Sequence, residues 1–276
     1  MGNSRRYSIM EHFQSINSYI PFSLDGVWNL SLAFCAVFAI ILLRYFIISG
    51  AFYFVFYCRR HSRKQLNSKL PKTQQIKFEI KWSLVSSVIF AVFGLILGVM
   101  WQKGFSRIYL DFEEYGWFYL PFSFFLLSLF HEVYFYFSHR FMHFEKIYQW
   151  IHAIHHRSVH TSPWASFSFH PGEAVIEAAI LPILVLIIPV HPLVLISYLT
   201  LMTVSAVINH LGYELFSSHL FHRFFISGSH HSLHHQRFKG NCGRYFRFID
   251  NFVGTEIAVT KPKQGDKEGC SLATNS

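Results

Sequence analysis

Charge is what this sequence lacks most. Only 14% of its 276 residues are Asp, Glu, Lys or Arg, where a soluble domain carries about 25%. With 52% hydrophobic residues and a mean hydropathy of +0.29, the deficit excludes an ordinary soluble domain and points to a membrane protein. Cysteine is scarce and scattered: Cys35, Cys58, Cys242 and Cys270 contain no Cys-x-x-Cys pair. That excludes a disulfide framework and a zinc finger, and reads as unpaired thiols. No haem, flavin or dinucleotide motif is present, so any electrons come from another protein. No solenoid-type repeat occurs. Met1 to Asp25 is polar and mixed, which does not read as a cleavable signal, and Arg6 stands where a myristoylation site wants Ser or Thr. The net charge of +9 does not imply nucleic acid, because much of it flanks apolar runs, where basic residues set orientation and meet anionic lipid.

Aromatic residues are abundant. Phe alone occurs 32 times, which suits a lipid-facing protein and a site for a bulky apolar substrate. Trp28 to Tyr57 is one long apolar stretch broken only by Arg44. A span needs about 20 residues, so this is one long tilted or bent helix. A basic loop over residues 58–81 follows, then a second span from Trp82 to Trp101 and a short mixed connection from Gln102 to Tyr115. A third span, Trp117 to Phe137, leads into a polar, histidine-rich stretch at 138–173. Ala174 to Val190 and Leu193 to Ile208, separated by His191-Pro192, read as a tight helical hairpin reaching into or through the bilayer. Residues 209–256 are again polar, and the tail from Lys261 reads as disordered. The expected units are an N-terminal polar segment (1–27), N-terminal spans (28–115), a catalytic domain (116–256) and a polar tail (257–276). The fold class is all-α: an integral membrane helical bundle of four to five spans with a histidine-rich helical cap. If the basic loop is cytoplasmic, all histidine groups fall on the cytoplasmic side.

Histidine dominates the chemistry. Of 18 histidines, all but His12 and His61 fall between His131 and His235. Eight form three tight groups: His139-x-x-x-His143, His152-x-x-His155-His156 and His231-x-x-His234-His235. On a helix, spacings of three and four share a face, so each group offers two or three imidazoles in one direction. A lone histidine is usually a satisfied polar side chain. Three grouped clusters instead suggest a shared site, and imidazole suits iron, zinc and copper. Eight nitrogens are too many for one metal, so two metals with about four ligands each is the natural reading. Without cysteine, such a centre can handle oxygen.

The groups, their order and their separation resemble the fatty acid hydroxylase / sterol desaturase superfamily of integral membrane di-iron enzymes. The resemblance covers roughly Phe130 to Thr255. It includes His139-Arg140-Phe141-Met142-His143, Tyr148 before His152, His170-Pro171-Gly172-Glu173, Gly240-Asn241, and Asp250-Asn251-Phe252-Val253-Gly254-Thr255. Val253 stands where the family usually has Phe. The stretch from Ser162 to Pro171 is especially similar to the sterol C5-desaturase branch.

The resemblance implies metal ligands at His139, His143, His152, His155, His156, His231, His234 and His235, which would also carry catalysis. His210 matches a further family histidine and is taken as a ligand. His230 is either a ligand or a donor behind one. His170 reads as support or substrate-pocket structure; His131, His160, His191, His219 and His222 read as interfacial or structural. Fatty acid 2-hydroxylases have a histidine where Glu214 stands, so Glu214 is a carboxylate ligand, a base holding an imidazole, or a surface group. Glu132, Glu173 and Asp250 are candidates to orient imidazoles, or else helix caps or ion-pair partners. The implied cofactors are two iron ions, with zinc possible on heterologous expression. The implied chemistry is O2-dependent hydrogen abstraction from an apolar lipid; a second abstraction gives a double bond, and oxygen transfer gives an alcohol. Electrons would come from cytochrome b5 with its reductase, or from a ferredoxin. The location would be the endoplasmic reticulum in a eukaryote or the inner membrane in a bacterium. Desaturation of a sterol-like lipid is the leading expectation and hydroxylation of a sterol or acyl chain the runner-up. A membrane metal transporter is disfavoured because the groups flank the spans instead of lying within them. A zinc-stabilised scaffold is the remaining non-enzymatic alternative. In an extended Ser162–Pro171 segment, Phe167 and Phe169 would point to one side and Ser166 and Ser168 to the other.

Overall fold

The computed structural model describes residues 23–59, 65–67, 69–216 and 218–257. Expectations for the segment before residue 23, for the middle of the basic loop with His61, and for the tail after residue 257 with Cys270 lie outside them. Among the described residues the protein is all-helical, with isolated bridges but no strand.

Four helices are long and apolar enough to cross a membrane. α1 (Val27–Tyr53) continues through a π-helical turn at Phe54–Cys58. α2 (Thr73–Gln102) starts nine residues before the expected span, because its polar first turns have a partner: Gln75 donates to the His160 carbonyl and Glu79 accepts from Ser162. α3 is Tyr119–Met142, and α7, the second arm of the hairpin, is Pro192–Asn209. Between them lie α4 (Glu145–Ile147), a π turn at Tyr148–His152, α5 (Ala153–His156), a 3₁₀ turn at Pro163–Phe167 and α6 (Pro171–Ile187). The chain ends in α8 (His219–Phe224), α9 (Gly228–Arg237) and α10 (Phe248–Val253).

Lipid tails provide no hydrophobic drive for helices to associate, so spans pack where small residues let backbones approach. Ser83, Ser87, Ala91 and Gly94 form such a stripe on α2. A Cβ at Gly94 would lie 2.8 Å from a Val37 methyl of α1. The stripe also does polar work. Ser83 donates to the Trp164 carbonyl, and Ser86 donates to the Phe169 carbonyl while accepting from the Phe169 N–H. These bonds seat the 3₁₀ turn on α2.

The bundle has two distinct ends. At one, the connection after α2 joins the turn between α6 and α7: Arg107 and Tyr109 exchange backbone hydrogen bonds with Val185 and Val190. At the other, α3 ends at His143, α6 begins beside His170 and α7 ends at His210. The expected tight hairpin is looser than its sequence suggests. α6 packs on α2 and α3, α7 on α1 and α3, and a cavity opens between them toward the histidine end. Both arms start on a His-Pro dipeptide, where the histidine Nδ1 accepts the backbone N–H two residues on (Gly172 or Leu193). Pro follows at the first helical position, where its missing N–H costs nothing.

Tyr57 ties α1 to the cap by donating to the Leu211 carbonyl at 2.7 Å. Tyr57→Phe is expected to lower stability by about 1 kcal/mol, read as a lower midpoint of thermal unfolding in detergent. An unchanged midpoint would show that this anchor contributes nothing.

Candidate metal centre

Two groups of imidazoles form at the histidine end. His139, His143, His152, His156 and His234 bring one ring nitrogen each within 4.8 Å of one another, and so do His155, His210, His231 and His235. The nine residues are those singled out in the sequence, divided five and four instead of four and four. Three of them sit on or just after the last turns of spanning helices: His139 and His143 at the end of α3, His210 at the end of α7. His152, His155 and His156 come from the π turn and α5, and the last three from α9. All are buried except His143, which is partly so.

The ring orientations carry the chemistry. His139 Nδ1 donates to the Cys242 carbonyl at 2.9 Å, and His152 Nδ1 to Glu173 at 2.9 Å. A neutral imidazole has one N–H, so both Nε2 atoms are bare lone pairs, and they face each other at 3.1 Å. In the second group, His155 Nδ1 donates to the Ser168 carbonyl and His210 Nδ1 to the Ala206 carbonyl, leaving bare Nε2 atoms 3.2 Å apart. His234 Nδ1 is likewise committed to the Gly240 carbonyl at 2.8 Å, so its Nε2 lone pair meets His143 at 3.1 Å and His156 at 3.2 Å. Lone pairs pointed at one another repel unless a cation lies between them. Separations of 3.0–3.2 Å are those of neighbouring ligands on one ion with bonds of about 2.1 Å. The donor set therefore fits two metal ions.

Protonation does not resolve the repulsion. Burial, reinforced by neighbouring imidazoles, holds His152, His155, His156, His231 and His235 well below the usual imidazole range. Burial and the adjacent His234 take His143 to about 3; burial takes His210 and His234 to about 4.

Of the three carboxylates expected to orient imidazoles, only Glu173 touches one. Glu132 accepts the backbone N–H groups of Arg244 and Tyr245, and Asp250 accepts those of Cys242 and Gly243 and the Thr255 hydroxyl. These two pin the backbone that presents the Cys242 carbonyl to His139, so their effect on the ring is indirect. The Gly240-Asn241 element has a local reason too. Gly240 has φ +74°, and a Cβ there would collide with the Thr255 carbonyl oxygen. Asn241 closes the loop by accepting the Ile257 N–H. Val253 packs against the core of Tyr136, Cys242 and Ile249, so the missing Phe leaves the carboxylate clamp intact.

Glu214 lies in neither group. It accepts from the Ser227 and Ser229 hydroxyls and the Ser229 N–H, which caps the start of α9. His230 also lies outside both groups, with Nδ1 at 3.1 Å from the Ser227 hydroxyl. The extended reading of Ser162–Pro171 needs correction. Residues 163–167 form a 3₁₀ turn, because Pro163 sits at its start and the Ser162 hydroxyl accepts the Trp164 N–H. Phe167 and Phe169 nevertheless line the same cavity, and Ser166 lines it with them.

The profile of the family described as Fatty acid hydroxylase matches residues 124–255. Delta(7)-sterol 5(6)-desaturase ERG3B of Gibberella zeae is 31% identical over 216 residues, covering 77% of this chain and 65% of that protein. Residues 124–255 thus carry a fatty acid hydroxylase domain, and the chain is similar to the sterol desaturases. Lathosterol oxidase of Homo sapiens is 27% identical over 183 residues, 66% of this chain and 61% of that protein. Methylsterol monooxygenase 1 of Rattus norvegicus is 27% identical over 195 residues, 68% of this chain and 67% of that protein. The chain thus spans less than two thirds of the first and second of these relatives. No solved structure matches it.

Burial alone would raise the Glu214 carboxyl, but bonds from Ser229, the Phe216 N–H and Ser227 together hold it below its ordinary 4.5. A depressed pKa contributes stability that is present above the ordinary value and lost as pH falls through the lowered one. Glu214→Ala is therefore expected to cost about 1–2 kcal/mol at neutral pH, less in acid, and to leave metal content unchanged. Loss of bound metal with unaltered unfolding would instead make Glu214 a ligand.

Proposed function

We propose that this chain is an O2-dependent, non-haem di-iron oxidoreductase of membranes that desaturates a sterol-like lipid. The observation that carries the metal reading is the pair of bare Nε2 atoms on His139 and His152, repeated at His155 and His210. Five histidines (139, 143, 152, 156 and 234) would hold one iron and four (155, 210, 231 and 235) the other. Bound iron supplies O2 reduction and the oxidising power to take hydrogen from an unactivated C–H bond. The sterol reading draws its support from the similarity to a sterol desaturase and to lathosterol oxidase, and the integral membrane setting from the four apolar helices.

The chain's own contribution is positioning and exclusion of water. Glu173 keeps the His152 proton on Nδ1 and its Nε2 bare. Backbone carbonyls of Cys242, Gly240, Ser168 and Ala206 do the same for four other rings. Phe135 and Phe169 wall a small pocket against the histidines, which shares Ser166, Phe169, Glu177 and Arg244 with the cavity between α1, α2, α6 and α7, the way in proposed for the lipid. Residues 116–256 would be the catalytic unit. The basic loop at 58–81 would place the histidine end in the cytoplasm, of the endoplasmic reticulum in a eukaryote or under the inner membrane in a bacterium. There a separate donor, cytochrome b5 or a ferredoxin, would deliver electrons. A second reading, hydroxylation, is favoured by the similarity to Methylsterol monooxygenase 1.

Metal analysis of protein purified without oxygen is expected to find two irons per chain; a single, redox-inert ion would end the di-iron reading. Supplied with an electron donor and a mixture of sterols and ceramides, the enzyme is expected to remove two hydrogens from a sterol. Addition of one oxygen, with sterols untouched, would move the assignment to acyl hydroxylation. His155→Ala and His234→Ala should each abolish turnover while the protein stays in the membrane. Wild-type turnover in either variant would take that residue out of the centre.

A further inference from the structure

Arg44 is the one charged residue in the apolar run of α1, and the function proposed above does not use it. It lies on the wall of a cavity of about 240 Å³ between α1, α2, α6 and α7. Its Nε is buried with no hydrogen-bond partner, and among the described residues no carboxylate oxygen lies within 4.0 Å of the guanidinium. A charged side chain inside a spanning helix is costly, and those that persist are paired or serve a site. Arg244, on the same wall, shows the paired case: it lies 3.8 Å from Glu177 and donates to the Met202 carbonyl. Arg44 presents donors and no acceptor to a space lined mainly by apolar side chains, with Ser166, Glu177, Tyr198, Thr203 and Arg244 as its other polar residues.

The cavity is polarised along its length. Val37 and Leu97 mark one end, and Leu181 and Leu184 lie on the part of α6 that runs away from the histidines. Arg44 is two helical turns nearer the histidine end than Val37. Its neighbour Tyr45 donates to the Trp164 carbonyl and stacks on Phe167. At this end Ser166, Phe169, Glu177 and Arg244 line both the cavity and the pocket against the histidines. A lipid in the cavity thus meets Arg44, the Ser166 hydroxyl and the Glu177–Arg244 pair toward the histidines and hydrocarbon away from them.

We propose that Arg44 recognises an oxygen acceptor on the substrate: a sterol-type lipid enters with its ring hydroxyl accepting a hydrogen bond from Arg44 and its alkyl tail directed toward Leu97 and Leu181. This rests on the sterol reading given above and adds how the molecule is oriented. It places the ring system that carries the hydroxyl, and not the tail, against Phe169 and the junction with the histidine pocket. The same donors would also suit a carboxylate, so a fatty acid is the competing source of the acceptor.

The test is equilibrium binding to the full-length protein in lipid nanodiscs. The probes are a hydroxysterol, its ketone, its deoxy counterpart and a long-chain fatty acid. The ketone keeps the acceptor and loses the hydroxyl donor, so wild type is expected to bind the hydroxysterol and the ketone alike, each about tenfold or more tighter than the deoxy compound. Arg44→Met is expected to bind all three sterols as weakly as wild type binds the deoxy compound, with metal content unchanged. Equal wild-type affinity for hydroxysterol and deoxysterol overturns the proposal without needing any variant. A preference that survives in Arg44→Met overturns it as well, while leaving the sterol function standing. A fatty acid that displaces the sterol from wild type and loses affinity in Arg44→Met reassigns the acceptor to a carboxylate. If wild type binds none of the sterols, the sterol reading of the function itself fails.

Discussion

Everything at the histidine end depends on one electrostatic conflict. Nine imidazoles are packed with their ring nitrogens 3.0–3.2 Å apart, and in two of the pairs, His139 with His152 and His155 with His210, neither nitrogen has a proton to share. No arrangement of tautomers relieves this for His139 with His152, or for His155 with His210, because each ring has spent its single N–H on an outer acceptor. The fold holds the conflict in place with carbonyls and one carboxylate. Two cations would turn the repulsion into coordination, and the stability of the end would then be linked to metal occupancy. The outer acceptors matter as much as the rings, since a His139 free to rotate or to move its proton to Nε2 could no longer offer a lone pair inward.

That requirement explains why so much buried polarity lies behind the centre. The segment after α9 has no regular structure, yet it carries the carbonyls of Gly240 and Cys242 that fix two rings. Its backbone N–H groups are taken up by Glu132 from α3 and Asp250 from α10. Both carboxylates are almost fully buried and fully engaged. A buried carboxylate is tolerated where several N–H groups converge on it, and each such clamp converts a loop into a rigid platform. Glu214 acts in the same way at the start of α9, upstream of that segment. Glu132, Glu214 and Asp250 are thus spent on holding backbone, and of these carboxylates and Glu173 only Glu173 meets an imidazole of the two groups.

The sequence was most legible where a period or spacing has one physical solution. Long apolar runs in a chain poor in charge leave little besides spanning helices, and imidazoles three and four apart on a helix leave little besides a shared face. His139 and His143 follow from that spacing alone. His210 lies alone in sequence and needed the family pattern; only the folded chain shows its Nε2 between those of His155 and His231. The early start of α2 was hidden because Gln75 and Glu79 look like loop polarity until the backbone of 160–162 is brought against them. The 3₁₀ turn at 163–167 was hidden for a related reason. Alternating Phe and Ser mimic a strand period, while Pro163 and the Ser162 cap enforce a turn. The roles of Glu132 and Asp250 were out of reach because carboxylates that hold imidazoles and carboxylates that hold N–H groups look the same in a sequence.

The placement of the cavity follows from the same division of labour. If the substrate is an apolar lipid, as proposed, it reaches the mostly buried histidines from the membrane side, between helices that stay apart. α6 and α7 are such a pair. Their shared turn is tied down far from the site, where Ile188, Val190 and Val194 lie in one buried cluster with Ile108 and the backbone of Arg107 and Tyr109 pairs with Val185 and Val190. Their other ends are held by different partners: Glu173 by His152, and Asn209 by the Arg244 carbonyl. Held at both ends by different partners, the two arms leave a cavity between them and the first two spans. The buried Glu177–Arg244 pair bridges that gap at the doorway to the histidines, since Glu177 rides on α6 and Arg244 is fixed to α7 through Asn209. The ion pair sets a polar mark between the hydrocarbon space and the pocket against the histidines, since both of its partners line each of them.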